Sequence, residues 1–269
     1  MKEIGRGARW LDPLRWVRRQ LYSKYGSFVM ANFELKLRHL PTTARLWRLE
    51  RAEAKRLLQL LGTPVEAHVI TVIATYRRPE LAAKAVRSAL AQTVADHHIV
   101  VVDDAGGQLP AVDDPRVTVV SLARNAGSAG VVRNVGIRLS RSPIIAFLDD
   151  DNTWDARHLE LSLKEHARGY AVTYTGLRRV RMDGTMRDEI SVPFERSAMR
   201  SRGFVDTSAI TVRRHRRAYF SRVPRGRKTK VKEDWELVYR LSRRVRTTHV
   251  PVSTVEYLVH EGSYYTNWK

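Results

Sequence analysis

Cysteine is absent from the 269 residues. That excludes disulfides and thiolate-held metal centres, and it leaves the redox compartment open. Long apolar runs are absent too: no stretch approaches the roughly eighteen residues that a membrane-spanning helix needs. The first residues have neither the apolar core nor the small-residue cleavage site of a secretory signal. A cytoplasmic protein is therefore expected, with peripheral attachment to the inner face of the plasma membrane as the variant. Acidic residues are scarce, 28 Asp and Glu against 48 Lys and Arg, for a formal net charge of +20. Such an excess points to polyanionic company: nucleic acid, anionic lipid or phosphorylated substrates. Zinc-finger spacing, an aromatic-rich RNA motif and a helix-turn-helix pattern are all missing, so no specific nucleic-acid partner is expected. What is present is globular. Hydrophobic residues make up 43% of the chain, enough for one large domain or a domain with an appendage.

Three regions follow from the patterning. Residues 1–66 are basic and helical in character. Trp10, Leu14, Val17 and Leu21 recur at helical spacing away from Arg15, Arg18 and Arg19, and a second helix is expected after Pro41, ending at Gly62-Thr63-Pro64. From His68 the pattern changes. Apolar β-branched runs at 69–74, 99–102, 117–120 and 143–148 alternate with helical stretches at 79–92 and 130–139. Apolar strands alternating with helices predict an α/β fold with a mostly parallel sheet, whose ligand site lies at the carboxyl ends of the strands. Beyond residue 156 the reading is mixed, with helices at 157–168 and 234–243, strands at 171–175 and 253–259, and a turn at 182–185.

The run Phe147-Leu-Asp-Asp-Asp-Asn152 places three carboxylates directly after an apolar strand. A solvated acidic turn is one reading. The other is a site for Mg²⁺ or Mn²⁺, hard cations that take oxygen ligands and share them with substrate phosphates. Asp103-Asp104 closes a second strand in the same way.

The succession Val69-Ile-Thr-Val-Ile-Ala-Thr-Tyr-Arg-Arg-Pro-Glu80, Val102-Asp-Asp-Ala-Gly106, Arg124-Asn-Ala-Gly-Ser-Ala-Gly-Val-Val-Arg-Asn134 and Phe147-Leu-Asp-Asp-Asp-Asn152 resembles the ordered motifs of family 2 glycosyltransferases of bacterial type. Lys232-Glu-Asp-Trp-Glu-Leu237 and His260-Glu-Gly-Ser263 continue the resemblance, which covers about residues 68–262. It implies a GT-A (Rossmann-like) fold with residues 1–66 as a helical extension. Residues 67–155 would form the nucleotide-sugar half and 156–269 the acceptor half. The implied activity is inverting transfer of a sugar from a nucleotide-diphosphate donor, UDP by family weight, to an acceptor hydroxyl on a lipid-linked or polysaccharide acceptor.

The resemblance also distributes roles. Ala74, Thr75 and Tyr76 would shape the nucleotide pocket, although Tyr76 also reads as a plain loop aromatic. Arg78, with Arg77, would serve the diphosphate. Asp104 would accept the imide N–H of the base while Asp103 supports the strand end, or the two exchange roles. Arg133 would either touch the donor or tie down the acidic loop. Asp149 would reach the ribose or the metal, Asp150 would support the sugar or the loop, and Asp151 would bind Mn²⁺ or Mg²⁺ with His260 as a further ligand. Asp234 would be the general base and Glu233 its rival, with helix capping as the bland alternative. A helix N-terminus favours a charged carboxylate and so weakens it as a base.

Residues 176–248 hold 21 Lys and Arg against 8 Asp and Glu. The run Arg222-Val-Pro-Arg-Gly-Arg-Lys-Thr-Lys-Val-Lys232 reads as a mobile basic loop that recruits an anionic acceptor or closes over the diphosphate, or simply stays solvated. The first helix suits an anionic membrane, packing on the domain, or a homodimer contact. Two rival functions remain: a non-catalytic polyanion-binding module, which the charge alone supports, and a nucleotidyltransferase, whose Gly-rich loop after the first strand is missing.

Overall fold

The computed structural model describes residues 12–108, 112–226 and 229–259. Three helices lead, α1 (Asp12–Tyr25), α2 (Ser27–Arg38) and α3 (Leu40–Leu61). They are followed by β1 (Val69–Thr75), α4 (Pro79–Leu90), β2 (His97–Asp103), β3 (Val117–Ser121), α5 (Ala129–Arg138) and β4 (Ile144–Asp149). The remainder comprises β5 (Asn152–Trp154), α6 (His158–Ala167), β6 (Val172–Arg181), β7 (Met186–Ile190), β8 (Ile210–Arg213), α7 (Glu233–Leu241) and β9 (Thr247–Val259).

One sheet runs β3-β2-β1-β4-β8-β6-β9-β5, with β7 paired to β6. Its first four strands are parallel, as the apolar runs predict. Val69, Ile70, Val72 and Ile73 are fully buried, each worth roughly 1.5–3 kcal/mol when removed from water. The chain leaves β1 for β2 on one side and returns to its other side at β4, which opens a crevice beyond the strand ends. Register brings the site residues together there: Ala74 pairs with Asp149, and Thr75 with Asp103.

Beyond β4 the pairing becomes mixed. β8 runs antiparallel to β4 and β6, while β9 runs parallel to β6 and antiparallel to β5. Strands β5, β7 and β8 were not expected. Two are only three or four residues long, and β7 carries Arg187, Asp188 and Glu189 instead of an apolar run. Helix α2 has no separate signal in the sequence because Gly26 alone, not a longer loop, divides it from α1. Gly26 has φ +94°, and a Cβ there would lie 2.3 Å from the Arg200 carbonyl oxygen. Arg200 donates to the Tyr25 and Lys24 carbonyls, satisfying the end of α1.

The amino-terminal helices share the core of the rest. Ala54 and Leu57 of α3 join the cluster formed by the sheet. Glu50 is fully buried and accepts from Arg138 Nε at 2.8 Å, Arg222 at 2.6 Å and Asn134 Nδ2 at 2.9 Å. The composition change near residue 66 therefore does not mark a change of core.

Helix α5 lies close on β1. A Cβ on Gly136 would sit 2.5 Å from Val72 Cγ1. Gly136→Ala is expected to lower unfolding free energy by about 1–2 kcal/mol in urea titration, because overpacking costs more than the helix propensity gained.

Candidate active site

Two neighbouring cavities share Gly127, Ser128 and Ala129, the turn that opens α5. One is lined by Ala74, Thr75, Tyr76 and Arg78 from the end of β1, Asp104 beyond β2, and Asp150. The other holds Arg133, Asp149, Asp206, Glu233, Asp234 and Tyr257, with Arg225 and Lys232. Six of the expected nucleotide-sugar residues thus meet in the first cavity, and both candidates for the base meet in the second. Asp151 lines a third cleft beside the acidic turn, with Asn152 and Lys84.

The acidic turn is held from both sides. Ser208 Oγ accepts from the Asp149 backbone N–H at 3.1 Å and from Asn152 Nδ2 at 2.8 Å. Arg78 Nη1 donates to Asp150 at 3.2 Å and to Asp151 at 3.0 Å. The intervening Arg77 sits at φ +54°, a left-handed conformation that costs a bulky residue of the order of 1–3 kcal/mol. Burial, with Asp151 adding, pushes the Asp150 carboxyl up to about 6 against the pull of Thr75 and Arg78.

Arg133 is buried and reaches two carboxylates, Asp149 at the end of β4 and Glu233 at the start of α7. Of the two readings for this cation, its contacts are those of a tie. Its guanidinium also lies 5.1 Å from the centre of the Phe220 ring. Burial opposes its charge, but the two carboxylates more than offset this and hold its pKa above the ordinary arginine value. For Asp149 the balance goes the other way: burial, reinforced by Asp151 and Glu233, raises its carboxyl despite Arg133.

The second strand's carboxylates divide their work. Asp103 accepts from the N–H groups of Gly106 and Gly107, all at 2.9 Å, and from Ser121 Oγ at 2.7 Å, so it braces the loop against β3. Asp104 accepts from Ala126 N at 2.6 Å and Gly127 N at 3.0 Å, fixing the turn before α5, and still lines the first cavity. Burial raises its carboxyl, and these N–H groups draw it back. Tyr76 is partly exposed at the cavity mouth, with Arg77 over its ring.

Sequence reasoning missed Asp206, Thr207 and Tyr257. Asp206 is buried, caps the 3-10 turn Thr207–Ala209 through Ser208 N at 2.8 Å, and reaches the second cavity. Burial drives its carboxyl well above the usual range, with Asp149 and Asp234 adding. Its only sequence signal was an Asp before Thr-Ser, a local cap signature. Tyr257 arrives on β9 opposite Asn152 and carried no signal. The basic loop also differs from expectation. Arg222 is bound to Glu50, Arg225 donates to Asn32 and to the Val231 carbonyl, and Val223 and Val231 are buried. Both ends of that loop are anchored; Arg227, Lys228 and the expected metal ligand His260 lie outside the described residues.

The side chains lining these clefts supply carboxylate oxygens, the donor type that hard divalent cations take. Asp149, Asp206, Glu233 and Asp234 line the second cavity, Asp150 the first and Asp151 the third cleft, in a chain of net charge +20. Among the described residues no group of three or more His, Asp or Glu side chains is placed to hold a metal ion.

Residues 70–224 match the family model for glycosyl transferase family 2. The succinoglycan biosynthesis protein ExoO of Rhizobium meliloti is 35% identical over 122 residues, 43% of this chain and 35% of that protein. The chain spans between 31% and 40% of the length of the curated relatives it matches. Among solved structures, Staphylococcus aureus TarS 1–349 in complex with UDP-GlcNAc aligns with TM-score 0.58 at 15% identity, over 75% of this chain and 61% of that one. The Pyrobaculum calidifontis mannosyltransferase PcManGT, in complex with GDP-Man and Mn²⁺, aligns with TM-score 0.53 at 15% identity, over 86% and 70%. These likenesses establish a GT-A fold.

Proposed function

The chain belongs to glycosyl transferase family 2, and from that premise we propose that it transfers a sugar from a nucleoside-diphosphate donor, UDP in the first instance, to an acceptor hydroxyl with inversion. The observation that carries this reading is the confluence of the two cavities: donor-side residues line one, and a carboxylate at a helix start lines the other. The UDP-GlcNAc held by TarS and the GDP-Man held by PcManGT support the donor class.

In this reading Asp104 accepts the imide N–H of uracil, and Tyr76 packs against the base or ribose. Asp149 reaches the ribose, and Asp150 supports the sugar end of the turn. Asp234 takes the proton of the acceptor hydroxyl as its oxygen bonds to the anomeric carbon, while the bond from that carbon to the diphosphate oxygen breaks and the nucleoside diphosphate leaves. Glu233 is the weaker candidate for base because Arg133 already holds it. Arg225 and Lys232 line the same cavity, as cations that suit the departing diphosphate. Mn²⁺ or Mg²⁺, held by Asp149 and Asp151 with His260 as a further ligand, would supply neutralisation of charge on the leaving group. The acceptor is a growing polysaccharide or its lipid carrier, in keeping with the succinoglycan biosynthesis named for ExoO.

Calorimetric titration with UDP, GDP, dTDP and CDP, each with Mn²⁺ or EDTA, tests the donor site. UDP is expected to bind only with the cation, and Asp151→Ala to weaken it by about 10²-fold, the scale of losing one ligand of a charged clamp. Binding of no nucleotide by the wild type would sink the proposal.

A further inference from the structure

The strongest feature outside the active site is a basic face built where α2 meets the end of α7. A groove of about 430 Å³ lies between Val29, Phe33 and Lys36 on α2 and Arg217, Arg243 and Arg244. Glu236, the acid in this groove, is already shared by Lys36 at 3.2 Å and Arg240 at 3.1 Å. Among the described residues no carboxylate lies within ion-pair distance of Arg216, Arg217, Arg243 or Arg244. Repulsion from Arg244, then desolvation, then the charges of Arg216, Arg240 and Arg243 depress the Arg217 pKa. Placing such charges together is unfavourable until an anion arrives. The segment 213–217 continues the charge into a second groove, lined by Arg51, Lys55, Arg138 and Arg214.

Exposed apolar side chains stand on the same two helices, α2 and α3, that contribute to these grooves. Phe33 and Leu37, one turn apart on α2, are each 54% exposed. Trp47 is 44% exposed one turn before Arg51, whose guanidinium lies 4.9 Å from its ring centre. Leu40 extends that stripe of α3 and is 59% exposed. A free phosphate or a nucleic acid backbone would match the arginines, but it gains nothing from exposed leucines. A lipid surface matches both, with phosphates for the guanidinium groups and an interfacial layer for Phe, Leu and Trp.

We propose that this face docks on an anionic membrane, with Arg217, Arg243 and Arg244 on lipid phosphates and Phe33, Leu37 and Trp47 in the interface. The proposal does not depend on the reaction assigned above. It also connects the two ends of the molecule. Asn32, in the docking groove, holds Arg225, which lines the catalytic cavity, and Lys36 holds Glu236 on the helix that begins with Glu233 and Asp234. Docking thus bears on the same helices that position the site.

The test is co-sedimentation of the full chain with vesicles of phosphatidylglycerol and phosphatidylcholine, compared with phosphatidylcholine alone. Binding is expected only to the anionic vesicles. R217S/R243S/R244S should lower the partition coefficient by roughly a hundredfold, the effect of removing three basic residues from an anionic surface. F33S/L37S should lower it by about tenfold. The equal-charge control R87S/R157S/R181S, exposed residues on α4, at the start of α6 and on β6, should bind nearly as the wild type does. Melting temperature checks that each variant is folded. Equal loss in the groove and control variants would mean diffuse attraction by a +20 protein and overturn the proposal. So would unchanged binding of either groove variant, absence of anionic-vesicle binding, or groove-dependent capture of an oligonucleotide without vesicle binding.

Discussion

Asp234→Asn is expected to lower kcat by about 10³-fold, the middle of the range for loss of a general base, while leaving metal-dependent UDP affinity within about twofold. The asparagine keeps the volume of a residue that is only 4% exposed and can still accept the Trp235 backbone N–H through its side-chain oxygen, so folding should survive. What is lost is the ability to take a proton. Glu233→Gln makes the contrast. It weakens one arm of the Arg133 tie between α7 and β4, so its effect should divide between donor KM and kcat, each by about tenfold. Steady-state kinetics with a soluble acceptor analogue distinguishes the two. Full activity in Asp234→Asn with loss confined to Glu233→Gln would reverse the assignment.

Glu50→Ala is expected to cost about 2–3 kcal/mol of unfolding free energy, measured by urea titration, because it removes the buried acceptor that two part-buried guanidinium groups share. Arg138 and Arg222 lose their shared acceptor, and Asn134 loses one partner while still holding the Phe220 backbone through its N–H and carbonyl. Replacing all three charged residues together, Glu50→Leu with Arg138→Met and Arg222→Met, should recover much of the loss, since a well-packed apolar cluster avoids the desolvation of ions. The same contact anchors the start of the 222–232 loop, which runs directly into Glu233 and Asp234. Glu50→Ala should therefore also reduce kcat at temperatures where it remains folded. A variant as stable as the wild type would show that this ion cluster adds nothing net to stability.

The carboxylate turn was legible because its signal is local. An apolar strand followed within four residues by three aspartates needs no knowledge of the rest of the chain, and the strand ends at Asp103 and Asp149 fell within a residue of expectation. The short strands β5 and β8 were illegible for the converse reason. Three or four residues carry too little periodicity to be recognised, and only pairing with β9, or with β4 and β6, makes them strands.

By itself, the sequence determined the alternation of buried strands and helices and which carboxylates end up beyond strand ends. Burial on both faces of a parallel sheet demands continuous β-branched runs, and turn chemistry acts over a few residues, so both are written in adjacent positions. Only the tertiary structure decided that Asp206 joins the site, that Arg133 reaches both Asp149 and, 100 residues beyond itself, Glu233, and that Glu50 meets Arg222 172 residues away. A charged side chain reads the same in sequence whether it is solvated or paired. The difference is made by the partner that the returning chain brings within 3 Å, and by the water excluded when it does.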